Sequence, residues 1–382
     1  MTATLERLFR LMADKNASDL FLAPGAPITV KLNGVCVPIA PDALTPQDII
    51  TLLAERVSDA GFRELEDTHE LNIALPLQGV GSFRLSAFRQ RGTISAVVRY
   101  IPYEIPKLEN LHLPPVFQDL AVARHGLILV VGAAGSGKST SIASMIDHRN
   151  ERQTGHILTF EDPVEFLFRN KKSIVNQREI GTDATSLETA LRSALRQAPD
   201  LLFIGEIRDR ATMTAALAYA MSGHAVIATM HATNSVHALN RVISFYPPEA
   251  RNALFEDLGT ALTAVVSQRL VRARQGGRVP AVEVLLNTAH TRDLILRGDV
   301  SAIKESLEQS LSPDNQSFEQ GLFQLLQENA ITRDDALAAA DSQNNLLWFL
   351  NNKGTARQET SILNPPTTPG APSLSEITIH VP

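Results

Sequence analysis

Among 382 residues there is one cysteine, Cys36, one tryptophan and four tyrosines. A lone cysteine excludes an intrachain disulfide framework, which fits a reducing compartment, and it equally excludes a four-cysteine zinc site. Long hydrophobic runs are missing too: the longest aliphatic stretch is the short one around 127–131, against the ~18 apolar residues or more that a membrane helix needs. The first 22 residues do not form a signal peptide, because Glu6, Arg7, Arg10, Asp14 and Lys15 interrupt any apolar segment. Leu5, Leu8, Phe9 and Met12 repeat there at helical spacing instead. Charge of one sign is also lacking. Thirty-five Lys plus Arg against 41 Asp plus Glu leave a net −6, which supplies no global attraction to nucleic acid or anionic lipid. What remains is 44% apolar and 20% charged, the composition of an ordinary globular, cytoplasmic protein, and its length favours two domains with appendages.

After the first helix, 20–22, 28–32 and 35–39 have the pattern of short strands, with Asn33-Gly34 as a hairpin turn. Thr45-Pro46 opens a helix as N-cap and first position. Between Glu70 and Ile101 three further strands alternate apolar and polar residues around Gly79-Val80-Gly81 and Arg91-Gly92. Residues 1–101 are therefore expected to form a small α+β domain. Pro102, Pro106, Pro114 and Pro115 make 102–115 a connector and a hinge. Beyond it, 127–131, 157–160, 201–204 and 226–229 are continuous apolar strands separated by helical stretches, the signature of a parallel sheet buried on both faces. Thr185-Ser186-Leu187-Glu188 carries a capping-box pattern at the start of one of those helices. This α/β region is expected over 116–292, a helical subdomain over 293–354, and a disordered proline-rich tail over 355–382. Within that tail, Ile377, Ile379 and Val381 alternate as an added strand would.

The chemistry starts at Gly132-Ala133-Ala134-Gly135-Ser136-Gly137-Lys138-Ser139, which follows an apolar strand and precedes a helix. That context turns a glycine-rich pattern into a phosphate-binding loop: the glycines let backbone N–H groups wrap phosphates, and the helix dipole points at the same charge. Lys138 reaches the β and γ phosphates of ATP, and the Ser139 hydroxyl, followed by Thr140, serves Mg²⁺. Leu201 to Glu206 is a buried strand ending in an acid, with Gly205 where an Asp often helps hold magnesium. The cluster Glu161-Asp162-Pro163-Val164-Glu165 follows the strand 157–160 and emerges at the same sheet edge. Attack by water requires a carboxylate to orient and deprotonate it, and Glu165 is the choice. His224 and His231 flank the strand 226–229, and only His231 lies at the phosphate edge. As an isolated histidine, either is more often a satisfied structural residue. Phosphoryl transfer also needs cations beyond Lys138. Arg84, Arg91 and Arg99, expected on the strands of 83–101 with Arg84 opposite Phe83 and Leu85, are candidates, though individually each suits a solvated strand position.

In this order these elements resemble the PilT/PilU group of type IV pilus retraction ATPases, within the secretion-ATPase superfamily. The resemblance covers nearly everything before the tail. It is carried by Ser18-Asp19-Leu20, by 132–140, by Thr159 to Phe166 as the Asp box, and by Asn176-Gln177-Arg178-Glu179. It continues through Ala194 to Asp200, Gly205-Glu206-Ile207-Arg208-Asp209, and Gly223-His224 through His231 as the His box. It implies a PAS-like N-terminal domain and a RecA-like ATPase domain, assembled as a homo-hexamer with nucleotide between neighbouring subunits. It assigns Glu165 as catalytic base, Glu206 as the Walker-B glutamate and Arg84, Arg91 and Arg99 as trans arginines. The output it implies is withdrawal of pilin subunits at the cytoplasmic face of the inner membrane, beside a platform protein and possible PilT paralogue. Ala289 to Leu296, 142–150, Thr154-Gly155-His156 and Arg196 to Pro199 bring the chain closer to the accessory, PilU-like branch.

Three rival readings follow from the same residues. A pilus-assembly or type II secretion ATPase would carry four zinc cysteines and a further N-terminal domain. A RecA-like nucleic-acid motor would carry a basic, aromatic-interleaved stretch, which is missing here. A third, a non-hydrolysing ATP-binding scaffold, is opposed by Lys138, Ser139, Glu165 and Glu206 together.

Overall fold

The computed structural model describes residues 4–359 apart from 33, 103, 309 and 311–313, so Asn33 and the 377–381 alternation lie outside the described residues. The first sheet contains β1 (Asp19–Leu22), β2 (Pro27–Leu32), β3 (Val35–Ala43), β4 (Glu70–Leu77), β5 (Gly81–Gln90) and β6 (Thr93–Pro102). Its order is β3-β2-β1-β6-β5-β4, with every pairing antiparallel. Three helices, α1 (Leu5–Asp14), α2 (Pro46–Ala54) and α3 (Asp59–Thr68), close one face. The α1 stripe Leu5, Leu8, Phe9 and Met12 is wholly buried, and Phe9 stacks on Phe83 of β5 at 4.0 Å. Burying side chains of this size yields about 1.5–3 kcal/mol each. Thr45 caps α2 in a complete capping box with Asp48.

Two features of this half differ from expectation. Strand β3 runs on to Ala43, because a register shift between Pro27 and Thr29 of β2 lets the ladder continue past Pro38. As an exposed edge strand it shows no alternation to read. Helix α3 buries only Leu65 and so left no apolar stripe in the sequence.

The connector is not free. Leu108 is buried in a short 3₁₀ turn, and α4 (Val116–Ala121) follows Pro115. The next elements are β7 (Gly126–Val131) and α5 (Lys138–Arg152). Along α5, Ser144 donates to the Pro106 carbonyl at 2.6 Å, and Lys107 pairs with Glu151 and, at 3.8 Å, with Asp147. Lys171 bridges the same two acids at 2.5 and 2.9 Å, while Glu109 meets His148 and Arg152 at 3.4 and 3.5 Å. These links satisfy the buried Asp147 and His148, while Arg149 donates to the Ala123 carbonyl and Asn150 to the Arg169 carbonyl. They fasten the connector to the helix that carries Lys138.

This strap is acid-sensitive. The Lys107 and then the Lys171 hydrogen bonds pull Glu151 from its ordinary 4.5 to about 2. A depressed carboxylate stabilises above the unfolded value and loses that contribution as pH falls toward the folded one. The melting-temperature difference between wild type and Glu151→Gln should therefore stay constant above pH 4.5 and close as pH approaches about 2. With the side chain 34% exposed, screening limits the effect to about 1 kcal/mol. A difference independent of pH would contradict the strap.

The second sheet adds β8 (Gly155–Glu161), β9 (Ser173–Glu179), β10 (Leu201–Ile204), β11 (Ala225–Met230), β12 (Leu262–Arg272) and β13 (Arg278–Leu286), in the order β13-β12-β7-β11-β10-β8-β9. It is parallel except for the β12–β13 hairpin. Strands β7, β10 and β11 are buried along their whole length between two apolar clusters, one on each face. Helices α6 (Leu187–Ala194), α7 (Arg210–Met221), α8 (Ser235–Ser244) and α9 (Arg251–Ala261) cover one of these faces. The cap of α6 is Ser186, accepting from Thr189 N–H, so Thr185 and Glu188 form no capping box and instead line the cleft described below.

The C-terminal helices divide between two cores. Helices α10 (Ala289–Leu296) and α11 (Val300–Glu308) bury Ile295, Ile303 and Leu307 in the main core. Helices α12 (Phe318–Gln327), α13 (Arg333–Ala339) and α14 (Gln343–Glu359) gather on Val271 and Ala281 of the β12–β13 hairpin. Helix α14 runs past residue 354, where a tail was expected to begin, and residues 360–382 lie outside the described residues.

Candidate functional site

The loop between β7 and α5 takes the backbone its glycines allow. Gly135 and Gly137 have φ of 74° and 88°, and Gly137 caps α5. Lys138 opens that helix and donates from Nζ to the Gly132 and Ala133 carbonyls at 2.9 and 2.8 Å. Ala134, Gly135, Lys138 and Ser139 line a cleft of about 620 Å³, and Thr140 lies one residue further into the helix. The residues present fit a phosphate chain. Ser136 Oγ is buried with no partner, and a Cβ at Gly137 would stand 2.7 Å from Gln268 Nε2.

Opposite the loop, the carboxyl ends of β8, β10 and β11 deliver Glu165, Glu206 and His231 into the same cleft. Burial lowers the Lys138 pKa, while the charges of Glu165 and Glu206 act to raise it. Both carboxylates thus act on the ammonium across the cleft. Glu206 accepts from Arg208 Nε at 2.6 Å and faces His231 Nε2 at 3.3 Å. Gly205 sits tightly: a Cβ there would lie 3.0 Å from the Phe160 carbonyl and 3.2 Å from Glu161 Cα, so any side chain would have to push that backbone aside, and Glu206 supplies the charge at this strand end.

Glu161 plays a different part from Glu165. It is buried, accepting from Thr159 Oγ1 at 2.7 Å and Gln177 Nε2 at 3.0 Å, and burial pushes its carboxyl above the usual range. Asp162 precedes a cis peptide to Pro163 and lies 3.7 Å from Arg208. His224 stands at the other end of β11, hydrogen-bonded to Ser222 at 2.9 Å and edge-on to Tyr219, so the structure brings His231 and not His224 to the cleft.

None of the three N-terminal arginines lines the cleft of this chain. Arg84 and Arg99 are register partners on the sheet face away from Phe83 and Leu85. Arg99 pairs with Asp19 at 3.0 Å, and Arg84 lies 4.0 Å from Glu179 of β9. Arg91 is not on a strand: it occupies the β5–β6 turn with φ of 46°, a geometry the following Gly92 shares at 79°.

Two contributors escaped the sequence reading. Arg208 sits two residues after Glu206, and its place beside a strand-end acid was a usable signal. Gln268 of β12 is buried, donates to the Ser136 carbonyl at 3.0 Å and accepts from Ser141 Oγ at 2.9 Å. It braces the phosphate loop from a strand more than a hundred residues away, which no local pattern could reveal.

Comparison with known proteins identifies the family and the fold. The family described as "Type II/IV secretion system protein" matches residues 10–293. The type IV pilus ATPase PilU of Pseudomonas aeruginosa is 44% identical over 89% of this chain and 90% of its own length. The type IV pilus retraction ATPase PilT of the same organism is 35% identical over 87% of this chain and 96% of its own. A crystal structure of the pilus retraction motor PilT with bound ADP superposes with a TM-score of 0.84 at 36% identity, covering 90% of this chain and 99% of that one. The N-terminal antiparallel sheet and the parallel-rich second sheet are thus shared, and the chain belongs to the type II/IV secretion system family, in its PilT/PilU group of ATPases.

Proposed function

We propose that this chain is a ring-forming motor that spends ATP to withdraw type IV pili, in the PilU-like accessory position. The observation that carries the hydrolytic part is the single cleft in which Lys138 faces both Glu165 and Glu206. The retraction part rests on the resemblance to PilU and PilT over nearly the whole chain. Ser139 and Glu206 would hold Mg²⁺, which when bound neutralises charge on the phosphate oxygens. Lys138, drawn away from the Gly132 and Ala133 carbonyls, would bind the phosphates, and Glu165 would orient the attacking water and take its proton. His231 and Arg208 hold the Glu206 carboxylate toward the cleft. In a homo-hexamer at the cytoplasmic face of the inner membrane, Arg84, Arg91 and Arg99 of one subunit are available to the nucleotide of the next.

The test is genetic. A deletion strain should be hyperpiliated or defective in twitching, and wild type but not Lys138→Ala should restore it. If deletion leaves cells bald, the direction is assembly and the retraction reading fails. An accessory role further requires that loss of the PilT paralogue alone abolish movement.

A further inference from the structure

The loop that carries Glu165 is held by side chains rather than by a ladder. Between β8 and β9, Val164 N–H donates to Glu179 Oε2 at 3.0 Å and Phe168 N–H to Gln177 Oε1 at 2.9 Å. The Phe166 carbonyl accepts from Gln177 Nε2 at 2.8 Å, and the same amide reaches Glu161 at 3.0 Å. Gln177 and Glu179 are two apart, so their side chains leave one face of β9. Their bonds land on residues 164 and 166, the immediate neighbours of Glu165.

Glu179 has a second commitment. Its Oε1 lies 4.0 Å from Arg84 Nη2, on the first sheet. Among the described residues this is the carboxylate that Arg84 meets, because Asp19 is taken by Arg99 and Arg84 Nη1 is buried without a partner. The pair stands at the outer limit of an ion pair, with Arg84 28% and Glu179 20% exposed. A small movement of the first sheet therefore either closes the contact or leaves this carboxylate without a cationic partner, held on that oxygen, among the described residues, by the Thr182 hydroxyl alone at 3.4 Å. That carboxylate is the one fixing Val164.

We propose that Gln177 and Glu179 are positioning residues for Glu165, and that Arg84, acting through Glu179 of its own chain, makes the setting of Glu165 depend on how the N-terminal sheet is seated. The inference rests on Glu165 being the catalytic base. A general base works only within hydrogen-bond reach of its proton, and a displacement of about 1 Å costs about a hundredfold in rate. The N-terminal sheet thereby gains a route to the chemistry that needs no contact between Arg84 and nucleotide.

The experiment is steady-state ATP turnover by the full-length chain at matched oligomeric state. Gln177→Ala and Glu179→Ala should each lower kcat by about tenfold or more, with KM for ATP within about twofold, since neither touches the phosphate loop. Glu179→Gln keeps an acceptor for Val164 N–H but loses its charge, so it should fall between wild type and Glu179→Ala. Arg84→Ala should lower kcat in the wild-type background and add nothing in the Glu179→Gln background. A further loss there would mean that Arg84 acts elsewhere, which overturns the coupling. A raised KM with unchanged kcat would overturn the positioning role. If Glu179→Ala does not fold, the Glu179→Gln and Arg84→Ala cycle still decides. Inactive Glu165→Gln beside normal Glu179→Ala sinks the positioning claim alone, whereas active Glu165→Gln sinks the base assignment and the claim with it.

Discussion

Lys138→Ala is expected to fold as wild type does and to lose ATP turnover by about 10³-fold, the scale associated with removing a preorganised charge from a transition state. Among the described residues its ammonium makes two hydrogen bonds, to the Gly132 and Ala133 carbonyls. Removing it leaves no unpaired buried charge, so the unliganded melting temperature should barely move. What should vanish is the nucleotide-induced increment, about 2.7 kcal/mol for a ligand at a hundred times its Kd. Thermal melting with and without ATP, alongside turnover, separates these outcomes. Turnover within tenfold of wild type would remove Lys138 from the mechanism.

How much of this was legible beforehand follows from chain distance. The phosphate loop could be read because strand, glycines, lysine and helix are contiguous, and Glu165, Glu206 and His231 because each follows an apolar strand whose carboxyl end had to reach one edge. Gln268 could not be read, since it meets Ser136 and Ser141 only when β12 pairs with β7. Strand β9, Ser173–Glu179, is a polar edge strand with no apolar run, so Gln177 and Glu179 were visible as a motif and not as supports. Arg91-Gly92 did carry a turn signal, and placing Arg91 on a strand set it aside. The connector illustrates the opposite error. Its prolines correctly excluded a core helix, but composition says nothing about Lys107 and Glu109 finding partners on α5.

Those partners give α5 two working ends. Lys138 at its start lines the cleft, while Asp147, His148, Glu151 and Arg152 at its end grip the connector. A helix is stiff over fifteen residues, so a shift at the phosphate end has a rigid path to the segment joining the two sheets. Together with Glu179 and Arg84, this gives the N-terminal sheet two lines to the cleft, one through α5 and Lys138 and one through the loop that carries Glu165.

Glu206→Gln should bind ATP yet hydrolyse it about 10²- to 10³-fold more slowly. The amide preserves the shape of the strand end, and its oxygen can still accept from Arg208 Nε, now 2.6 Å from Glu206 Oε2. Lost are the charge that would hold Mg²⁺ with Ser139 and the anion that opposes Lys138. The burial that lowers the lysine pKa would then act with one fewer carboxylate to offset it. His231, 3.3 Å from the other oxygen, would keep a neutral partner, so His231→Ala should cost far less than Glu206→Gln if its role is to steer that carboxylate. Single-turnover measurement with radiolabelled ATP distinguishes the cases: the Glu206→Gln protein should retain unhydrolysed ATP through gel filtration. Equal losses for His231→Ala and Glu206→Gln would instead place the histidine on the phosphoryl group itself, and normal turnover by Glu206→Gln would remove Glu206 from the chemistry and leave Glu165 as the candidate acid.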